Sequence, residues 1–154
     1  MGCFSLDEIS RKKAKSYRSP IGNYFPCMLK LIDWFIDFFF PVRLMDGESS
    51  SSGRVEVFAG GVWGTVCDDS WSLEDANVVC RHLHRGKAER FTTDALYGHG
   101  SGPILLDDVV CGGNEWTLFN CTHAAIGQHN CGHAEDAGVV CAQPSNGKLG
   151  EVAF

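Results

Sequence analysis

Six cysteines between residues 67 and 141 constrain this chain more than any other feature. They are Cys67, Cys80, Cys111, Cys121, Cys131 and Cys141; Cys3 and Cys27 stand far upstream. Such density in a short stretch means metal binding, redox chemistry or a disulfide framework. The successive gaps are 13, 31, 10, 10 and 10 residues, with no C-x2-C pair. Structural zinc gathers its ligands in tight knuckles. His129 and His133, on either side of Cys131, therefore leave zinc only as the competing reading. Disulfides are the expectation. A stretch of about one hundred residues has a small core and needs staples, and each bridge contributes about 2–4 kcal/mol. Six cysteines allow fifteen pairings, and spacing selects none of them.

Charge divides the chain near Pro41. Residues 1–43 carry seven Lys/Arg against four acids, and residues 44–154 carry six against fifteen, for a whole-chain charge of −6. A net charge of −6 argues against nucleic acid as a target, because phosphate contacts need a basic face. The first part (1–41) reads as a basic stretch, Arg11 to Arg18, followed by the apolar run Phe25–Phe40. That order begins a secretory signal or signal anchor, with the N-terminus on the cytoplasmic side. Lys30, Asp33 and Asp37 interrupt the run at i, i+3, i+7, which instead suits an amphipathic helix lying on a membrane or a partner. A gene-start artefact is the third reading. Residues 143–154 lack periodicity and read as a tail.

Between these flanks, residues 42–142 read as one domain of short strands and one helix. Val55 and Val57, then Val62, Trp63 and Val66, flank Gly60-Gly61 and predict a β-hairpin. Val42–Met45, Ile104–Val110 and Gly138–Ala142 are further strand candidates. Ser72 with Asp75 resembles a capping box, and Ala76, Val79, Cys80 and Leu83 follow at helical spacing. Gly86 is expected to close that helix at positive φ. One more helical turn is expected over 116–120.

These residues carry a family resemblance. Gly53-Arg-Val-Glu-Val57, Trp63-Gly-Thr-Val-Cys-Asp-Asp69, Trp71, Gly102-Pro-Ile-Leu-Leu-Asp-Asp-Val109 and the stretch His129–Cys141 resemble the scavenger receptor cysteine-rich (SRCR) domain over about residues 42–142. The resemblance implies an α+β domain, a curved antiparallel β-sheet cradling one α-helix and stapled by disulfides. It implies the pairs Cys67–Cys131, Cys80–Cys141 and Cys111–Cys121, and an extracellular setting. The family's eight-cysteine group has two more cysteines, at about Ser51 and Arg85 here. Their absence resembles the six-cysteine group A.

Acids concentrate at Asp68-Asp69, Asp107-Asp108 and Glu135-Asp136. Adjacent carboxylates repel, so such pairs suit a hard cation such as calcium, or else solvate the surface and cap turns. The implied bridge Cys67–Cys131 would bring Asp68 and Asp69 near Asn130 and Glu135. The resemblance places a calcium site at Asp68, Asp69 and Glu135 and a second at Asp107, Asp108 and Asn130, with Ca2+ affinity of roughly 10⁻⁴–10⁻³ M. A basic group, Arg81, Arg85, Lys87 and Arg90 with His82 and His84, straddles the helix end. It reads either as a complement to the helix dipole or as a patch for polyanionic ligands. Asn120-Cys121-Thr122 is an N-glycosylation sequon, which a bridged Cys121 would hinder.

No nucleophile elbow, H-E-x-x-H, Walker loop or dinucleotide fingerprint is present, so catalysis is not expected. Gly98–Gly102 reads as a turn. The expected function is recognition: calcium-assisted, scavenger-receptor-like binding of anionic or microbial-surface ligands of the kind innate immunity uses. The competing expectation is an interaction module that regulates a catalytic domain elsewhere in a larger protein.

Overall fold

The computed structural model describes residues 31–32 and 35–142. The basic stretch, Cys3, Cys27, most of the apolar run and the tail after Ala142 lie outside the described residues. The chain divides into two units between Phe35 and Ile36, and every strand lies in the second. Among the described residues no helix is long and apolar enough to cross a membrane.

Residues 36–39 are helical and lead into β1 (Val42–Asp46). Then come β2 (Ser52–Ala59), β3 (Val62–Val66), α1 (Leu73–His82), β4 (Ala88–Thr92), β5 (Ile104–Leu106) and β6 (Gly138–Cys141). Two 3-10 turns, Leu118–Asn120 and His133–Glu135, lie between β5 and β6. The strands form one curled sheet in the order β4-β6-β2-β3-β5, with β1 also on β2. β1 pairs with residues 53–57 of β2, which overlaps the pairings of both β6 and β3. β1 therefore holds one edge of β2, and β3 and β6 share the other. The sheet forks there, and Cys67 bridges Asp136 inside the fork. Four strand pairings are antiparallel, as expected, and β3–β5 is parallel.

The hairpin forms as its sequence dictates. Ala59 pairs with Val62 across Gly60 and Gly61, whose φ values of 59° and 86° suit glycine and the tight turn that matches strand twist. Val55 and Val57 face the core with Val66, Trp71, Leu106 and Val139. The opposite face of β2 is covered too. Arg54 and Glu56 are 5 % and 6 % exposed and hydrogen-bond each other at 3.0 Å. Arg43 donates to the far oxygen of Glu56, and Arg54 donates to the carbonyls of Tyr97 and Gly98.

The helix starts at Ser72 with the capping box its sequence predicts, Asp75 standing at N3. Both the backbone N–H and the hydroxyl of Ser72 donate to Asp75 Oδ2, at 2.8 and 2.6 Å. Asp75 Oδ1 accepts from the Cys111 N–H at 2.8 Å. Asp75 is fully buried and ties the helix start to the loop closed by Cys111–Cys121. At the other end Gly86 has the expected positive φ, 74°, but it is not the residue that closes the helix. The helix stops at His82, and His84 takes the left-handed position at φ 55°. His84 N donates to Arg81 O and Arg85 N to Cys80 O, the paired bonds of a Schellman ending.

Two other expectations change. β5 ends at Leu106 rather than Val110, because Asp108 turns to φ 51°, outside any strand. Residues 88–92, read from sequence only as part of a basic cluster, form β4. The three bridges join Cys67 to Cys131, Cys80 to Cys141 and Cys111 to Cys121, the pairs the resemblance implied. With these sulfurs bonded to one another, zinc ligation by the cysteines is excluded.

Candidate functional site: an acidic rim around Cys67–Cys131

The fork in the sheet positions the acids. Beyond β3, Asp68 N donates to Glu135 O at 2.8 Å, so the two acids stand side by side although 67 positions separate them. Asp69 follows at the rim. Cys131 Sγ lies 3.8 Å from Asp69 Oδ2, so the bridge holds the 129–135 loop against this turn. From the parallel strand β5 comes Asp107, with a carboxylate oxygen within 4.8 Å of one on Asp69. The two trios read from sequence are therefore neighbours on one rim.

Three of these carboxylates also accept backbone N–H bonds within turns, so the structural role anticipated for them is real at Asp68, Asp107 and Glu135. Asp68 Oδ2 accepts from Asp94 N at 2.6 Å, and Glu135 Oε2 accepts from Gly132 N at 2.8 Å. Asp107, 3 % exposed, accepts from Asp108 N at 2.7 Å and from Asn130 N at 3.2 Å. A carboxylate has about four acceptor positions, so these bonds leave Asp68, Asp69 and Glu135 with oxygens to spare. Among the described residues none of Asp68, Asp69, Asp107, Asp108 and Glu135 has an ion-pair partner.

That lack of cations shows in the electrostatics. Partial burial lifts the Asp68 carboxyl above its ordinary value of 3.8; the Asp94 N–H bond opposes this, and Asp94, Glu135 and Asp69 add repulsion. Asp69 is lifted in the same way by desolvation and then by Asp107, Glu135 and Asp108. Asp94, held at φ 55°, is a member of this rim that no motif or spacing points to. The Asn130 amide lies against both trios. With its nitrogen inward it donates to Asp107 Oδ2 at 3.2 Å and to Asp69 Oδ2 at 3.0 Å.

Asp136 does not belong to the rim. It is 1 % exposed, faces the other way, and accepts from Gly100 N and from His133 Nδ1. Thr65 also approaches His133 Nδ1, at 3.5 Å. A buried threonine sharing the nitrogen that Asp136 already holds makes no nucleophile relay. His129 Nδ1 faces Cys131 O.

The basic group is divided by its contacts. Arg81 donates to the carbonyls of Gly113 and Glu115, pinning the 112–116 loop to the helix. Arg85 donates to Ser50 Oγ and Ser51 Oγ, each at 3.1 Å. Ser51 and Arg85, about where the resemblance puts the extra pair of the eight-cysteine group, are joined here by a hydrogen bond. Lys87 and Arg90 remain exposed, with Glu89 between them. Asn120 is exposed at the end of its 3-10 turn.

The described residues thus form a small disulfide-stapled α+β domain with an oxygen-rich rim. The family model of the scavenger receptor cysteine-rich domain matches residues 45–142, and the chain belongs to that family. It is similar to the third SRCR domain of murine neurotrypsin, with 54 % identity over 66 % of this chain and 95 % of that one, at a TM-score of 0.62. It is also similar to the SRCR domain of mouse MARCO, solved in a dimeric form, with 46 % identity over 66 % and 94 % and a TM-score of 0.56. The three bridges fit a six-cysteine type. The domain is an extracellular ligand-binding or interaction module.

Proposed function

We propose that this domain is a calcium-assisted recognition module for anionic ligands. The observation that carries the reading is the convergence of six oxygen-bearing residues from three separate segments on one rim without a basic partner. Asp68, Asp69 and Glu135 would hold the first calcium ion. Asp107, Asp108 and Asn130 would form a weaker second site, because both Asp107 oxygens already accept backbone N–H bonds. Calcium takes six to eight oxygen ligands, more than a trio supplies. The positions left open suit phosphate, sulfate or carboxylate groups of a ligand, which reconciles an acidic domain with an anionic partner. Lys87 and Arg90 would add attraction, whereas Arg81 and Arg85 serve the fold.

The neurotrypsin domain is the third of its protein and the MARCO domain forms a dimer. Both favour a module that works in multiples, where linked weak sites give avidity. They also support the reading of an interaction module in a larger protein. Calorimetry of the oxidised chain tests the choice. Calcium uptake followed by calcium-dependent binding of dextran sulfate is expected, and both are lost in Asp68→Ala/Asp69→Ala. Dextran sulfate binding that ignores calcium and the double variant would reject the reading.

A further inference from the structure

Away from the rim, one cluster of metal-ligating side chains serves neither the fold nor the function proposed above. It lies where residues 36–39 meet the C-terminal end of α1. His82 Nε2 stands 3.4 Å from Asp37 Oδ1, and His84 Nε2 stands 3.5 Å from Asp37 Oδ2. The His82 side chain is 5 % exposed, yet among the described residues its Nε2 has no hydrogen-bond partner. Buried polar atoms are nearly always satisfied, and an orphan aimed at a carboxylate needs a reason. Asp37 is also oddly placed. The last turn of a helix carries partial negative charge and attracts cations, not carboxylates. Asp37 is the sole charged residue in Ile36–Phe40, so it reaches this helix end from an otherwise apolar segment. A cavity of about 200 Å³ adjoins the group, lined by Asp37, Pro41, Val42, His82, Leu83 and His84.

We propose that Asp37, His82 and His84 form a binding site for a divalent transition-metal ion, zinc in the first instance. Two imidazole nitrogens and one carboxylate suit zinc and disfavour calcium, which takes oxygen. Zinc bonds of about 2.0–2.1 Å at tetrahedral angles hold neighbouring donor atoms about 3.4 Å apart. Both N···O separations match that edge, although the three donor atoms do not all lie within 4.8 Å of one another. Each imidazole approaches a different oxygen, so loading requires one ring to swing inward. His84, 60 % exposed, is the ring free to do so, and His82 is the fixed ligand. Burial keeps His82 below the ordinary histidine range, with Asp37 opposing and His84 adding, and the neutral imidazole is the ligating form. The metal relieves both anomalies at once: it satisfies the buried nitrogen and puts positive charge at the helix end. It would fasten residues 36–40 to α1 and keep a fourth position for water or for a donor from another molecule.

The test is equilibrium zinc binding to the full chain, with any free thiols alkylated and excess calcium present to occupy the acidic rim. Competition with a chromophoric chelator gives affinity and stoichiometry, and Co2+ substitution gives the visible spectrum of the site. One equivalent is expected, with the intense absorption of four-coordinate Co2+. His84→Ala and Asp37→Ala, both at exposed side chains, should each weaken binding at least about tenfold. Asp68→Asn/Asp69→Asn should leave it unchanged, which separates this site from the rim. Wild-type protein that takes up no zinc overturns the proposal. So does affinity that stays at the wild-type level in both Asp37→Ala and His84→Ala.

Discussion

Asp68 and Asp69 stand in a field of like charge, and their pKa shifts turn that repulsion into a dependence of stability on pH. Both are raised above 3.8, so the folded state holds these protons more tightly than the unfolded chain does. A group of that kind favours the fold fully below its unfolded pKa, and the benefit is lost as pH rises through the folded value. In calcium-free buffer at pH 7, Asp68→Asn/Asp69→Asn is therefore expected to melt higher than wild type. The difference should vanish as pH falls toward 3.8, and thermal melts across that range check it. Asn keeps an oxygen to accept the Asp94 N–H, so the turn survives. Replacing Asp75 has the opposite effect on stability. Its side chain is fully buried and accepts three hydrogen bonds, so Asp75→Ala orphans the Cys111 N–H and uncaps the helix. A loss of about 2–4 kcal/mol is expected from denaturant titration.

The hairpin and the helix were legible because their signals are local: two glycines at a turn, a cap, a 3.6-residue period. The end of α1 was not, because His84 takes a left-handed conformation for the sake of the Schellman bonds, and no histidine advertises that. β4 was hidden for a related reason. Ala88-Glu-Arg-Phe-Thr92 shows no clean alternation, and a register shift between Ala88 and Arg90 disturbs its pairing with β6. Arg81 and Arg85, spaced like a solvated face, are instead spent on the 112–116 loop and on the serine turn before β2. The Arg85–Ser51 bond gives a prediction at this scale. Ser51→Cys/Arg85→Cys should form a fourth bridge between the start of β2 and the end of α1. Closing that loop should stabilise the domain by about 3–4 kcal/mol if geometry adds no strain. Non-reducing mass analysis checks the bond, and melting checks the gain.

At the scale of the whole molecule, the sheet, the helix and the long 93–137 excursion are held together by three bridges around one small core. Cys67–Cys131 and Cys111–Cys121 tie loops to the scaffold and Cys80–Cys141 ties α1 to β6, so reduction frees the loops and unpins the helix from the sheet. The reduced chain is expected to unfold at room temperature, read as loss of Trp71 burial by fluorescence. Calcium acts in the other direction. With affinity of roughly 10⁻⁴–10⁻³ M, about 10 mM calcium should stabilise the fold by about 1.4–2.7 kcal/mol through mass action. Chelator should reverse the gain, and the Asp68→Asn/Asp69→Asn form should show none. By itself the sequence determined the class of domain, the hairpin, the helix, the need for disulfides and the identity of the acids, since each of these depends on composition or on neighbours a few residues apart. Tertiary structure alone decided that the two acidic trios adjoin on one rim, that Asp136 turns inward, that Asp94 joins the rim, and that Asp37 reaches His82 and His84. Those are juxtapositions of residues tens of positions apart, set by a forked sheet and a disulfide, and no local period encodes them.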